Sequence, residues 1–160
     1  MADASLAELL TPELVRLDQA AADWEDAVRQ VGGVLVAAGA VDGAYVDAML
    51  TRERSVAPTF VGEGVAIPHG TLESRTLIHR DALCVVQFPD GVDWQGDRVV
   101  LCIGIAARGD LHVPILAQLA ELLMEPDRAE ALRQASTPTE LLALLTPDDA
   151  IDAEAGTPPT

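Results

Sequence analysis

His69 lies between a proline and a glycine in the segment GEGVAIPHG, residues 62–70 of this sequence. Pro68 fixes its own φ and favours an extended Ile67, while Gly70 permits a close approach of the backbone. An imidazole held there projects from the end of a strand, where α/β proteins usually bind their ligands. It can serve as a nucleophile or as an acid and base near neutral pH. The alternative from spacing alone is a turn histidine that only bonds a backbone group.

A second imidazole, His112, lies in ARGDLHVPIL, after an apolar run and near the start of a predicted helix that Asp110 could cap. The free N–H groups and positive dipole end of a helix N-terminus favour phosphate. A capping or partly buried histidine is the alternative. The third histidine, His79, lies beside Arg80 on a predicted solvated face, and we assign it no role.

Other candidates lie upstream of His69. Arg52 and Arg54 end a predicted helix in TRER, and Glu63 stands six residues before His69. An arginine at a helix C-terminus usually only complements the helix dipole. Taken singly, each of these signals is weak.

The elements that must position these residues follow from hydrophobic periodicity. Helical spacing appears in WEDAVRQVGGVLVAAGAV with Asp23 as cap, DGAYVDAMLTRER with Asp42 as cap, HVPILAQLAELLM, a short segment from Pro126, and TPTELLALL with Thr137 and Glu140 as a capping box. Strands are predicted for Phe60 to Ile67 and for the runs LCVVQF and VVLCIGIA, with a hairpin-like excursion at PDGVDWQGD and a helix break at Ala57-Pro58-Thr59. The two apolar runs are typical of central strands covered on both faces.

This order of elements predicts an α/β fold, a single mixed β-sheet with helices on both faces. The length suits one domain, for which we expect residues 1–147 in a separate polypeptide. Residues 148–160 are acidic and rich in small residues, proline and glycine, which predicts a disordered tail.

The net charge is −16 and no residue is lysine, which argues against nucleic acid as a partner. An acidic surface would attract a basic partner instead. No apolar run is long enough to span a bilayer and the N-terminus does not resemble a secretory signal, so we expect a cytoplasmic protein. Cys84 and Cys102 lack metal-ligand spacing and are predicted to be buried, silent thiols.

Taken together, these residues resemble a known family. YVDAMLTRERSVAPTFVGEGVAIPHGTLES closely resembles the active-site region of the mannitol/fructose-type enzyme IIA domains of the bacterial sugar phosphotransferase system. That family carries a Gly-(Ile/Val)-Ala-(Ile/Val)-Pro-His-Gly segment, preceded by a helix ending in an Arg-Glu pair. VVQFPDGVDWQGDRVVLCIGIAARGDLHVPILAQLAELL continues the resemblance, which runs from about Trp24 to Leu145.

The resemblance implies a phosphotransferase component with a phosphohistidine intermediate. His69 would accept a phosphoryl group from the histidine-containing phosphocarrier protein and pass it to a cysteine of an enzyme IIB domain, for mannitol or fructose uptake through enzyme IIC. His112 matches the second active-site histidine, Arg52 the active-site arginine and Glu63 the glutamate upstream of the motif. Arg54 is the second candidate for the arginine, because SVAPT is one residue longer than the usual link. The resemblance implies no cofactor and no metal.

Two alternatives keep the same fold. Nitrogen-related enzyme IIA proteins share the Pro-His-Gly segment and act as regulators through their phosphorylation state. A non-catalytic binding module of this fold would lack the chemistry altogether.

Overall fold

The computed structural model describes residues 9–55, 59–71, 73–108 and 112–145, and five strands in them form one sheet. The strands are β1 (Val15–Arg16), β2 (Phe60–Gly62), β3 (Val65–Ala66), β4 (Ala82–Trp94) and β5 (Asp97–Ala106). Their order is β1-β4-β5-β3-β2. β1 is parallel to β4 and β3 is parallel to β5, whereas β4–β5 and β2–β3 are antiparallel. The predicted mixed sheet is therefore confirmed.

Helices cover both faces of this sheet. They are α1 (Trp24–Ala37), α2 (Ala44–Ser55), α3 (His112–Leu123), α4 (Pro126–Arg133) and α5 (Pro138–Leu145), with 3-10 turns at Pro12–Leu14 and Glu73–Leu77. On β4, the Cys84 thiol reaches the carbonyl of Val31 in α1, whereas the Gln87 amide reaches the carbonyl of Arg133 in α4. Positions 84 and 87 differ in parity, so they point to opposite faces of the strand.

β4 and β5 form the centre of the core. The first seven residues of β4 and the last eight of β5 are buried, as expected for strands covered on both sides. Gly104 on β5 lets α1 pack closely, since a Cβ there would lie 2.4 Å from Val31 Cγ1 and 2.7 Å from Cys84 Sγ. Cys84 and Cys102 are both free and buried, as predicted.

The predicted strand from Phe60 to Ile67 is wrong in one respect. It is a tight hairpin in which β2 turns back into β3 at Glu63 and Gly64, whose φ values are 57° and 75°. Gly64 also packs against Arg133 and Val100, with 3.2 Å between its notional Cβ and each side chain. The left-handed turn reverses the chain where apolar patterning favoured a continuous strand.

The predicted β4–β5 hairpin is confirmed, with its reversal placed at Gln95-Gly96, both at positive φ. The segment PDGV stays within β4, where the register shifts between Gln87 and Val92. β4 advances five residues between these two pairs while β5 advances two, so β4 has three extra residues there and the pairing resumes beyond them.

Helix starts follow the predicted capping residues. Asp23 Oδ1 accepts from Asp26 N at 2.8 Å, and Thr137 Oγ1 accepts from Glu140 N at 3.0 Å. Glu140 Oε1 accepts from the backbone N of Ser136, one residue earlier than in the standard capping box. The predicted break at Ala57-Pro58 and the predicted tail at 148–160 lie outside the described residues. Among the helices the structure describes, none has the length and apolar character needed to cross a membrane.

Candidate functional site

The backbone before His69 is fixed against the end of β5. His69 makes an isolated parallel bridge with Ile105, and Ile105 N donates to the carbonyl of Pro68 at 3.1 Å. Pro68 has no N–H of its own and so contributes only an acceptor here. The segment after β3 therefore continues the β3–β5 pairing by one bridge, and the imidazole lies beyond the carboxyl end of β3.

The two ring nitrogens of His69 have different partners. Nδ1 lies 2.9 Å from the carbonyl oxygen of Ile67, and Nε2 lies 3.2 Å from Arg52 Nε. A carbonyl can only accept and a guanidinium can only donate, so the proton of the neutral ring is on Nδ1 and the lone pair is on Nε2. The ring is half-buried and held from both sides, so it is less bare than its sequence context suggests.

Gly70 is required by packing. A Cβ at this position would lie 2.5 Å from Ser74 Oγ and 2.6 Å from the ring of Tyr45. The Tyr45 hydroxyl accepts from Gly70 N at 2.9 Å and donates to the carbonyl of Ile105 at 3.0 Å. Burial raises the pKa of Tyr45, so the hydroxyl keeps the proton it donates. Sequence analysis missed this function of Tyr45, whose signal was only an apolar position on α2.

An open cleft of about 440 Å³ surrounds the imidazole. Arg52, Thr71, Glu73 and Arg75 bring polar groups to its wall. Two guanidinium groups against one carboxylate make the described wall suitable for an anion. Its volume falls within the range typical of small-ligand sites.

The two candidate arginines have different neighbours. Arg52 contacts His69, whereas Arg54 pairs with Glu25 and lies over the Trp24 ring at 5.8 Å. Residues two positions apart on a helix are separated by roughly 200° of rotation, so the two side chains leave α2 on nearly opposite sides. Of the two, Arg52 is the one that lines the cleft around His69.

Glu63 is not brought together with His69 and Arg52. Its Oε1 lies 3.5 Å from Arg133 Nη1, which also donates to the Glu63 carbonyl at 2.8 Å. Glu63 therefore holds Arg133 of α4 and does not hold Arg52. The β2–β3 turn directs it there.

His112 is the first residue of α3, which follows β5 and the cleft residue Ala107. The His112 side chain and Asp110 lie outside the described part of the structure. Sequence analysis also gave no role to Glu53, the residue next to Arg52. Its carboxylate is 1 % exposed and accepts from Thr59 N, Thr59 Oγ1 and Trp94 Nε1 at 2.6, 2.9 and 2.7 Å.

Similarity to known proteins agrees with this geometry. Residues 8–147 match the model of the family described as "Phosphoenolpyruvate-dependent sugar phosphotransferase system, EIIA 2". The chain is 44 % identical to a multiphosphoryl transfer protein of Xanthomonas campestris, over 91 % of this chain and 17 % of that protein. It is 34 % identical to the mannitol-specific phosphotransferase enzyme IIA component of Staphylococcus aureus, over 91 % of this chain and all of that protein. The chain thus spans about a sixth of the Xanthomonas relative.

Solved structures show the same fold. The crystal structure of the mannitol enzyme IIA of Escherichia coli aligns with a TM-score of 0.79 at 36 % identity, over 85 % of this chain and 98 % of that one. The Escherichia coli complex of mannitol enzyme IIA with phosphorylated enzyme IIB aligns with the same TM-score at 35 % identity, over 86 % and 98 %.

The fold and the match over residues 8–147 place the chain in the enzyme IIA class. More specifically, the chain belongs to the type 2 enzyme IIA family of the phosphoenolpyruvate-dependent sugar phosphotransferase system. The recognition made from the Pro-His-Gly segment is confirmed.

Proposed function

We propose that His69 Nε2 accepts a phosphoryl group from the histidine-containing phosphocarrier protein and passes it to a cysteine of an enzyme IIB domain. The observation that carries this proposal is the hydrogen-bond pattern of the ring, because Nδ1 keeps the proton and leaves an electron pair on Nε2. Such a nitrogen is a nucleophile without prior deprotonation.

In the transfer, one P–N bond forms on His69 as another P–N bond breaks on the carrier. The lone pair of Nε2 forms a bond to phosphorus as the bond to the carrier's ring nitrogen breaks, and that nitrogen keeps the electron pair. Nδ1 stays protonated and donates to the carbonyl of Ile67, which stabilises the positive charge on the ring. The same steps in the other direction, with a thiolate as acceptor, deliver the group to enzyme IIB.

Arg52 supplies the electrostatics of this step. It donates to Nε2 in the resting site, and its remaining N–H groups can turn to the phosphoryl oxygens as the group arrives. Phosphoryl transfer depends mostly on positioning and charge, so one guanidinium at this distance is a large part of the catalyst. We assign His112 a second donor role because it matches the second active-site histidine of the family and is the first residue of α3. A role for Glu63 stays a prediction, which its contacts with Arg133 do not support.

We infer the partners and sugar from the relatives. The similar Escherichia coli enzyme IIA binds phosphorylated enzyme IIB, which makes enzyme IIB the expected acceptor. Mannitol or fructose is the proposed sugar, imported through enzyme IIC, and the relay is proposed to act in the cytoplasm. A nitrogen regulatory enzyme IIA of Neisseria meningitidis is 23 % identical and shares the fold, which gives the regulatory alternative no added support.

The test is phosphorylation followed by intact mass. The chain is incubated with phosphoenolpyruvate, enzyme I and the phosphocarrier, and one phosphoryl group should be gained. His69→Gln should gain none, whereas the exposed His79→Gln is the matched control and should gain one. Absence of any gain in the folded parent would decide for a non-catalytic binding module.

His112→Ala tests the second donor. We expect a folded protein that still accepts one phosphoryl group but passes it to enzyme IIB more slowly, measured by rapid quench. Transfer at the parental rate would exclude the role.

A further inference from the structure

Arg52 lies in the last turn of α2, where long side chains usually have many accessible conformations. Its neighbour Glu53 points roughly 100° away around the helix, into the core. The Glu53 carboxylate fastens this turn to Thr59, just before β2, and to Trp94 at the end of β4. Thr59 is 6 % exposed and Trp94 is fully buried, so both anchors are rigidly packed.

From Thr59 the contacts lead on to His69. The carbonyl of Thr59 accepts from Ile67 N at 3.0 Å, and the carbonyl of Ile67 accepts from His69 Nδ1 at 2.9 Å. Arg52 Nε then donates to His69 Nε2 at 3.2 Å, and Arg52 is bonded covalently to Glu53. The contacts form a closed ring that runs through Glu53, Thr59, Ile67, His69 and Arg52.

We propose that Glu53 is a positioning residue for phosphoryl transfer, which sets the place of the Arg52 guanidinium relative to His69 Nε2 through this ring. The inference rests on the proposed function and names a further residue that serves the same site. Tyr45 ties the start of α2 to Gly70, whereas the ring ties the last turn of α2, which carries Arg52, to His69.

The chemistry of Glu53 favours this role over simple stabilisation. Its three hydrogen-bond donors are a backbone amide, a hydroxyl and an indole, all of them uncharged. A buried ion is seldom the most stable occupant of a core position, since its desolvation offsets much of what its hydrogen bonds contribute. The carboxylate does fix the orientation of the Glu53 side chain, because hydrogen bonds hold both of its oxygens.

The experiment compares Glu53→Leu, Glu53→Gln and the buried Leu141→Ala. Leucine cannot accept a hydrogen bond and opens the ring, so the single-turnover rate of transfer from saturating phosphorylated carrier should fall about 10²-fold. Glutamine keeps an oxygen for Thr59 N and Trp94 Nε1 and offers its NH₂ group to Thr59 Oγ1, so the rate should stay within about threefold. Leu141 of α5 lies outside the ring, and Leu141→Ala should lower the melting temperature with the parental rate retained.

A double-mutant cycle separates positioning from destabilisation. In an Arg52→Gln background, Glu53→Leu should change the rate by less than about threefold, because the group it positions is gone. Full additivity, or a parental rate in Glu53→Leu, would overturn the proposal.

Two further results keep the test decisive. If Glu53→Leu does not fold, Glu53→Asp is tested in its place. The shorter side chain cannot hold the same three donors in their positions, so transfer should slow about 10-fold. A parental transfer rate in Glu53→Asp would contradict the proposal. A parent that accepts no phosphoryl group would instead contradict the proposed function, which is a different outcome.

Discussion

At His69, two hydrogen bonds identify Nε2 as the atom that would accept the phosphoryl group in the proposed transfer. The carbonyl of Ile67 holds the proton on Nδ1, and the guanidinium of Arg52 lies at Nε2. The same contacts that orient the ring thus select its neutral tautomer with the lone pair towards the cleft. The local sequence is sufficient to place the ring beside the Ile67 carbonyl. It does not determine whether Arg52 or Arg54, 17 and 15 residues upstream, contacts the other ring nitrogen.

Arg52 and Arg54 form a matched pair for testing this assignment. Arg52→Gln should lower the rate of phosphoryl acceptance about 10²-fold, because transfer of an anionic group loses its cation. Arg54→Gln should keep the parental rate and lower the free energy of unfolding by at most about 1 kcal/mol, since its pair with Glu25 is at the surface. Rapid-quench kinetics and urea denaturation give the two numbers, and equal rate losses would contradict the assignment.

Gly70 and Gly33 form a second matched pair. Gly70→Ala should lower the melting temperature and slow phosphoryl acceptance, because its methyl group overlaps Ser74 and Tyr45 and shifts the segment that carries His69. Gly33→Ala should keep the rate and raise stability by up to about 1 kcal/mol, since its Cβ meets nothing within 4 Å on α1. A fully active, equally stable Gly70→Ala would show that this contact does not position the ring.

Among the helices and strands, sequence patterns predicted the elements that are determined by interactions within one segment. α1 and α5 were recognised because their caps and apolar stripes lie within one segment, and β4 and β5 because both faces are apolar. The β2–β3 hairpin was missed because Glu63, a non-glycine residue, adopts positive φ in a turn that packs against α4. The buried Glu53 was missed for a related reason, since its partners Thr59 and Trp94 lie 6 and 41 residues away.

The two central strands also carry a prediction about pH. Burial raises the pKa of the Cys84 thiol to about 12 and that of Cys102 well above its usual value. In the unfolded chain these thiols ionise near pH 8.5, so above that pH the unfolded state loses protons that the native state keeps. Below about pH 8 the two thiols should therefore not change the free energy of unfolding with pH. As the pH rises towards 12, their ionisation in the unfolded chain should lower it.

Urea denaturation at a series of pH values between neutral and alkaline measures this slope. The Cys84→Ala/Cys102→Ala variant is less stable throughout, but its free energy of unfolding should fall less steeply with pH than that of the parent. Tyr45, whose pKa is raised mainly by burial, contributes to the slope in both proteins. Parallel slopes in the two proteins would show that the thiols are not protected by the native fold.

For the molecule as a whole, the net charge of −16 comes from 26 acidic residues against 10 arginines. The guanidinium groups of Arg52 and Arg75 lie in the wall of the cleft, so the attraction for an anionic phosphoryl group is local, within a chain that is acidic overall. In the proposed relay, the acidic net charge would attract a basic partner that carries the phosphoryl group, while Arg52 and Arg75 would bind the group itself. Charge at long range then governs how often partners meet, and charge at short range governs the transfer.

This division predicts a particular salt dependence. Raising the ionic strength from about 20 to about 500 mM should lower the second-order rate constant for phosphoryl acceptance from the phosphocarrier by about 10-fold or more, because screening removes long-range steering. The rate at saturating carrier should change little, since the Arg52–His69 contact is half-buried and short. Stopped-flow or quench measurements at both salt concentrations separate the two constants. Arg52→Gln should have a low saturating rate, while its second-order rate constant should keep the parental salt dependence. A second-order constant that stays the same across this range would mean that the acidic surface does not steer the partner.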